Sequence, residues 1–366
     1  MPTPVTQTMT NTSSQSSSYP NDAARVAQMV ITVLIFVVGV TLNGLVVWVL
    51  GVRCGRVGRG GSGSGETRGA GSFRVYVVNL ALADLVLLLR TPLMLGYLAH
   101  HFSWPFGLSA CRMVMFFRCL GLYVSAFLLC AVALERCLCL LRPVWASIRR
   151  PRWAVPLACA LLWALATALS APYISEARLV DWKNRSQCIE SRKEATPTLT
   201  AIETAAGFIL PLVIFMSCNV AVLVNAKKTE RNQATPVSSP GVSPTSPTSP
   251  YVSQRLARLY RVLFITMLLF LTCWVPYFTF RFLRALSGTL GPEWAEFHRR
   301  TITGCYVALF LVYVKSALNP ILYVFAARGL GRTVRATLLS AVERVFNDET
   351  TESLRRKSLR RRDSEF

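Results

Sequence analysis

Charged side chains are scarce in this sequence, at 16% of 366 residues, and histidine is almost missing, with three residues in all. Where 52% of the residues are hydrophobic, that little charge cannot coat a water-soluble domain of this length, so an ordinary soluble fold is excluded. The three histidines, His100, His101 and His298, fall outside the long apolar stretches, and no metal-ligand spacing or nucleophile motif accompanies them. No metal, cofactor or enzymatic site is therefore expected. A cleavable signal peptide is not expected either, because the first 25 residues are polar and rich in Ser and Thr, without a basic start and a short apolar core.

The apolar residues that are present gather into seven blocks: Val26–Leu50, Val75–Ala99, Cys111–Leu141, Ala154–Tyr173, Ala201–Asn225, Val262–Phe280 and Thr301–Ala327. Each matches the roughly 20 residues a helix needs to cross a hydrocarbon core of about 30 Å. Helices are forced there, since unpaired backbone groups cannot face lipid. The fold class is an all-α membrane protein, a seven-transmembrane helix bundle over residues 26–327 behind a leader over 1–25. The net charge of +22 is unevenly placed: with the N-terminus outside, the inner segments carry 25 Lys and Arg and the outer ones ten. This is the positive-inside pattern, so the charge speaks for membrane orientation and against nucleic acid. Two glycosylation sequons, at Asn11 and Asn184, fall on the same outer side.

Most of the 11 cysteines lie inside the blocks as small buried apolar residues. Cys111 and Cys188 stand apart in outer segments, where a disulfide persists, and are expected to pair. The first inner loop, 51–71, is rich in Gly, Arg and Ser, and the third, 229–254, holds five Ser-Pro or Thr-Pro pairs; both read as extended coil. Over 328–346, Leu330, Val334, Leu338, Val342 and Val345 lie at helical spacing opposite Arg332, Arg335 and Arg344, which predicts an amphipathic eighth helix on the inner membrane surface. The tail over 347–366 offers Thr350, Thr351 and Ser353 among acidic residues, and Ser358 and Ser364 behind paired arginines, as phosphorylation sites.

Charges inside membrane spans are costly and mark function; here they are Asp84, Arg90, Arg118, Glu135, Arg136, Arg281 and Lys315. In order along the chain, Asn43, Leu80-Ala81-Leu82-Ala83-Asp84, Glu135-Arg136-Cys137, Trp163, Pro211, Cys273-Trp274-Val275-Pro276 and Asn319-Pro320-Ile321-Leu322-Tyr323 occupy one block each. Together they resemble the rhodopsin-like G-protein-coupled receptors. Trp104-Pro105-Phe106-Gly107, Arg142-Pro143-Val144-Trp145 and Val342-Glu343-Arg344-Val345-Phe346-Asn347-Asp348-Glu349 are closer to the chemoattractant branch, which includes the formyl-peptide receptors and the second prostaglandin D2 receptor. The resemblance implies a plasma-membrane receptor for an anionic lipid mediator or a peptide. It also implies an inhibitory heterotrimeric G protein as partner, with Glu135, Arg136, Asn319, Pro320 and Tyr323 in coupling and activation, and receptor kinases and an arrestin-like protein on the tail.

Arg118 lies 18 residues before Arg136, five helical turns along one face, and Arg281 lies seven after Trp274. Arg118, Arg281 and Trp274 therefore line an outer cavity where two guanidinium forks suit a ligand carboxylate, unless a loop acid such as Glu176 or Glu190 takes them. The direction of Arg90, beside Pro92, is unreadable. Lys315 stands where close relatives carry Asn and the wider family builds a sodium site around equivalents of Asp84 and Ser125; it is expected to pair with Asp84 and replace the ion. Retinal attachment is disfavoured, because Lys315 lies five residues before Pro320 and the opsin lysine lies seven before its proline. A secondary transporter, the alternative for an intramembrane Asp and Lys pair, would need matching halves, which seven blocks without an internal repeat do not provide.

Overall fold

The computed structural model describes residues 22–53, 68–142, 151, 153–182, 184–190, 195–234, 250–288 and 290–326. The leader through residue 21, Asn11, most of the first and third inner loops, the expected amphipathic helix over 328–346 and the phosphorylatable tail lie outside the described residues. Within them the chain is almost wholly helical, as backbone amides in hydrocarbon must be paired inside their own segment. The first span is α1, Asp22–Val46, continued by a π-helical turn, Val47–Arg53. The second comprises α2, Arg68–Leu88, and α3, Thr91–Ala99; the third is α4, Gly107–Leu141. The fourth is α5, Ala154–Ser170, followed by the short α6, Pro172–Glu176. The fifth joins α7, Ala195–Thr204, to α8, Leu210–Ala234, and the sixth and seventh are α9, Pro250–Ser287, and α10, Ala295–Ala326.

Six of these segments are long and apolar enough to cross a membrane. The remaining long helix, α9, has 38 residues, about 57 Å at 1.5 Å per residue, and contains the apolar block Val262–Phe280. Several boundaries differ from the sequence reading: helix runs into both inner loops read as coil, to Arg53 and from Arg68 in the first and to Ala234 and from Pro250 in the third, and the third, sixth and seventh spans begin before their apolar blocks, at Gly107, Pro250 and Ala295. The second block is broken at Leu89 and Arg90, because Pro92 has no N–H to donate and opens a new helix at Thr91. The fifth begins at Ala195 rather than Ala201 and passes through a π-helical stretch, Ala205–Ile209, before Pro211.

Lipid-facing residues repeat at helical spacing: Val30, Leu34 and Val37 on α1, and Leu157, Leu161 and Leu165 on α5, are all exposed. The third span lies at the centre. It approaches the second where Gly121 faces Leu87, so closely that a Cβ on Gly121 would sit 2.8 Å from that of Leu87. Two residues of the family-like pattern join neighbouring spans: Asn43 donates to the Ser316 carbonyl at 3.1 Å, and Trp163 Nε1 donates to Asn79 Oδ1 at 3.1 Å.

Between the fourth and fifth spans lies an antiparallel hairpin, β1 (Ala177–Trp182) and β2 (Arg185–Glu190), with Leu179 opposite Cys188. Asn184, one of the two sequons, sits exposed in its turn with φ 62°, a left-handed backbone that Asn tolerates better than most residues. The hairpin is stapled over one end of the bundle. Cys188 is bonded to Cys111 at the start of α4, as expected, with the Cα atoms 5.6 Å apart. Trp104 N–H donates to the Ser186 carbonyl at 2.8 Å, and Gln187 Nε2 donates to the Phe102 carbonyl at 2.7 Å.

Since residues two apart on a strand share a face, fixing Cys188 also fixes the side of β2 from which Glu190 projects. We expect Cys111→Ser and Cys188→Ser to reduce surface expression or ligand binding to the same extent, and the double variant to lose no more than either single one. Additive losses would show that each cysteine acts independently of the other.

Candidate functional site: a charge cluster under the hairpin

Beneath the hairpin, Arg118 of α4 and Arg281 of α9 converge as their spacing predicts, each 5% exposed. They do not meet an empty cavity, however. Arg118 pairs with Glu190 of β2 and with Glu203 of α7, the latter at 3.4 Å. Arg281 Nη2 lies 2.8 Å from both Glu190 Oε2 and Glu203 Oε2. Glu203, 2% exposed, also accepts from Tyr173 Oη at 2.6 Å and from Tyr277 Oη at 2.9 Å, while Tyr277 Oη accepts from Arg118. The Arg118 guanidinium lies 5.4 Å from the centre of the Tyr173 ring. Two guanidinium groups and two carboxylates thus cancel in charge and tie the third, fifth and sixth spans to the hairpin.

Of the acids open as partners, Glu190 is engaged and Glu176 is not among those that contact either arginine. Glu203 is the residue that sequence reasoning missed. It lies within the fifth apolar block, and the signal was available: two arginines facing one membrane interior demand counter-charge, and an acid inside a span is rare enough to supply it. The π-helical stretch that starts two residues later changes the facing of this turn relative to α8. On that stretch Gly207 packs against Tyr123 and Phe278, where a Cβ would sit 3.3 Å from either ring.

The cluster borders a cavity of about 70 Å³ whose lining includes Arg90, Arg118, Glu190, Tyr277, Arg281 and Arg284. With Glu203 behind the wall, four guanidinium groups face two carboxylates, an excess of two positive charges. Arg90 and Arg284 have no carboxylate partner among the described residues. Burial alone would raise the Glu190 carboxyl, but Arg281, Arg118 and Arg284 pull it down to about 2 from an ordinary 4.5. A carboxylate so depressed contributes stability in full above pH 4.5 and loses it only as the pH falls towards 2.

Trp274, fully buried two turns below Arg281, belongs to an aromatic stack rather than to the cavity lining. It lies between Phe270, 5.3 Å away, and Phe278, 5.7 Å away, with Phe208 of the fifth span 5.0 Å from Phe278. The Lys315 ammonium sits over it, 5.8 Å from the ring centre.

Asp84 and Lys315 are both buried, as expected, yet they form no direct ion pair. Asn319 donates to one Asp84 oxygen at 2.7 Å and Ser125 to the other at 3.4 Å, while Lys315 Nζ has no hydrogen-bond partner among the described residues. The carboxylate is already bonded by these two donors, and the lysine chain reaches towards Trp274 instead. At the opposite end of α4, Glu135 is buried and accepts from Cys139 Sγ at 3.7 Å. The side chains of Arg136 and Tyr323 lie outside the described residues; Pro320 is inside α10, one residue after Asn319.

Because Glu203 receives both arginines and two tyrosines, Glu203→Gln should destabilise the purified protein by about 3–5 kcal/mol, the usual loss when a buried charge pair is broken. Glu190→Gln, at the more open edge of the cluster, should cost less. Thermal unfolding in matched detergent checks the order; an equal or reversed effect contradicts this assignment. Acidification from neutral to about pH 5 should leave the cluster intact in the same assay.

The sequence has relatives among known proteins. Residues 66–323 match the family described as "7 transmembrane receptor (rhodopsin family)". The chain is 32% identical over 338 residues to C5a anaphylatoxin chemotactic receptor 1 of Oncorhynchus mykiss, covering 91% of this chain and 85% of that protein. It is 25% identical over 340 residues to the C3a anaphylatoxin chemotactic receptor of Danio rerio, covering 92% and 82%. It is 26% identical over 329 residues to prostaglandin D2 receptor 2 of Rattus norvegicus, covering 85% and 71%. With seven helical segments, the membrane-embedded charges and a family match over most of its length, the chain belongs to the rhodopsin family of seven-transmembrane receptors, which are receptors and not enzymes.

Proposed function

We propose that this multi-pass membrane protein is a chemoattractant-type receptor for a ligand carrying a negative charge. The ligand is either an anionic lipid mediator or a peptide, and it enters from the hairpin side, which faces the cell exterior with the N-terminus. The observation that carries this reading is the excess of two guanidinium groups around the cavity, since like charges in a site of low dielectric select ligands of opposite sign. Arg118 and Arg281 form its wall. Binding pressure on that wall bears on α9, where Trp274 lies two turns deeper, so the same helix links ligand contact to the aromatic stack. On the inner side Arg136 meets a G protein of the inhibitory class, with Glu135, Asn319, Pro320 and Tyr323 in the activation step. Receptor kinases and an arrestin-like protein act on the tail. The relatives are named for different ligands, C3a, C5a and prostaglandin D2, so the lipid and peptide alternatives are both kept and the acidic group is what this reading requires of either.

A screen of lipid acids and peptides, each against its neutral amide, should find agonists that inhibit cyclic nucleotide synthesis only in the acid form. Arg118→Gln leaves Glu190 and Glu203 short of one counter-charge, halves the excess of positive charge facing the cavity, and should lower acid-agonist potency about tenfold or more. Amides as potent as acids, or unchanged potency in a well-expressed variant, refute the reading.

Lys315 also serves, in this proposal, as a tethered replacement for a sodium ion near Asp84. Two cations beside one buried carboxylate repel strongly at low dielectric, so the ammonium excludes the ion without having to touch the acid. Agonist affinity should therefore be the same in sodium and in a bulky organic cation at equal ionic strength, and Lys315→Asn should make it fall as sodium rises. Sodium sensitivity in the unmutated receptor would refute this.

A further inference from the structure

An acid drawn into this cavity can be received in two places. At Arg118 and Arg281 it would have to displace Glu190, whose bonds to both guanidinium groups are already made. At Arg90 it has no acid to displace, only a contact with the Met94 sulfur. This side chain is 5% exposed and lines the cavity, yet its Nε and Nη1 have no hydrogen-bond partner among the described residues. Nη2 donates only to the Met94 sulfur, at 3.0 Å, and the guanidinium stacks 5.5 Å from the centre of the Tyr313 ring. The Tyr313 hydroxyl is likewise buried without a partner. An arginine cannot shed its proton to escape burial, so a guanidinium kept dry with two open nitrogens is a charge waiting for an anion.

The backbone places it there. Arg90 is the residue at which the second span breaks between α2 and α3, just ahead of Pro92, so the break turns its side chain towards the bundle interior. The donors left open, Nε and Nη1, lie on either side of Nη2, and each shares an edge of the planar fork with it, so a carboxylate takes both oxygens side by side once Nη2 gives up its contact with the Met94 sulfur. The cavity of about 70 Å³ has room for a group of a few heavy atoms.

Resting on the proposed acid-ligand reading, we infer that Arg90 is the anion anchor of this receptor: it binds the ligand's carboxylate directly. The wall of Arg118, Arg281 and the two glutamates then acts on the ligand through net charge and shape, and Glu190 stays in place during capture. The carboxylate could come from an acyl-chain acid or from a peptide C-terminus; the fork recognises what they share.

The test uses the purified full-length receptor and simple probes: octanoate against octanamide for the acyl chain, and N-acetyl-leucyl-leucine against its amide for a peptide end. At least one acid, and neither amide, should raise the thermal midpoint by about 2 °C or more at millimolar concentration, as expected for a ligand bound only by the folded state. The stabilising acid identifies the source of the carboxylate. Arg90→Met should abolish the rise. Glu296→Gln, which removes an exposed carboxylate paired with Arg299 and Arg300 outside the cavity lining, should keep it. If the rise survives in R90M, the acid sits on the wall; the anchor is then wrong and the acid-ligand reading stands. Loss of the rise in Glu296→Gln as well as in R90M would also overturn the anchor. If no acid stabilises the unmutated receptor, both fail. Should R90M not fold, Arg90→Lys keeps the charge but loses the fork: acid binding about tenfold weaker than in the unmutated receptor supports the anchor, and equal binding overturns it.

Discussion

The hairpin end of this receptor depends on a charge balance that water cannot help to satisfy. Arg118 and Arg281 are buried where a guanidinium remains charged, so each requires an acid within reach. Glu203 answers from the fifth span and Glu190 from the hairpin. Once those four groups are joined, three spans and the loop cannot shift independently. Removing any one member leaves a charge exposed to low dielectric. The Cys111 to Cys188 bond belongs to the same device, because strand geometry carries its constraint two residues along to Glu190.

Below that layer the packing changes character. Phe208, Phe270, Trp274 and Phe278 stack across the fifth and sixth spans, and Lys315 lies over Trp274 while Asp84 is held by Asn319 and Ser125. A buried ammonium with no hydrogen bond and a carboxylate held by neutral donors are a pair of charges kept apart rather than neutralised. Such an arrangement is costly in the resting receptor, and a small helix movement can change its energy by a large factor. It lies between the ligand cavity and the inner face, where a receptor needs two arrangements of similar free energy.

The most informative differences between sequence and structure concern pairing. Arg118 and Arg281 meet, as periodicity along two helices requires, but what sits between them could not be read from periodicity. Glu203 hides within an apolar block in the last turn of α7, and Glu190 reaches the site from a hairpin held over the bundle by the Cys111 to Cys188 bond and by hydrogen bonds from Trp104 and Gln187. Arg90 was unreadable for the reason that makes it useful: it stands at the break before Pro92, where helical spacing no longer predicts direction.

Taken alone, the amino-acid order determined the seven-span helical architecture, the membrane-embedded charges, the cysteine pair and the family. Each follows from local or periodic rules: block length against bilayer thickness, cost of charge in lipid, and motifs confined to one span. Only the tertiary structure decided which charge neutralises which, that Lys315 and Asp84 stand apart, and that Arg90 rather than the converging pair is left open. Those outcomes turn on distances of a few ångströms between side chains from different spans, and the energy of a buried charge varies steeply over such distances while sequence separation does not.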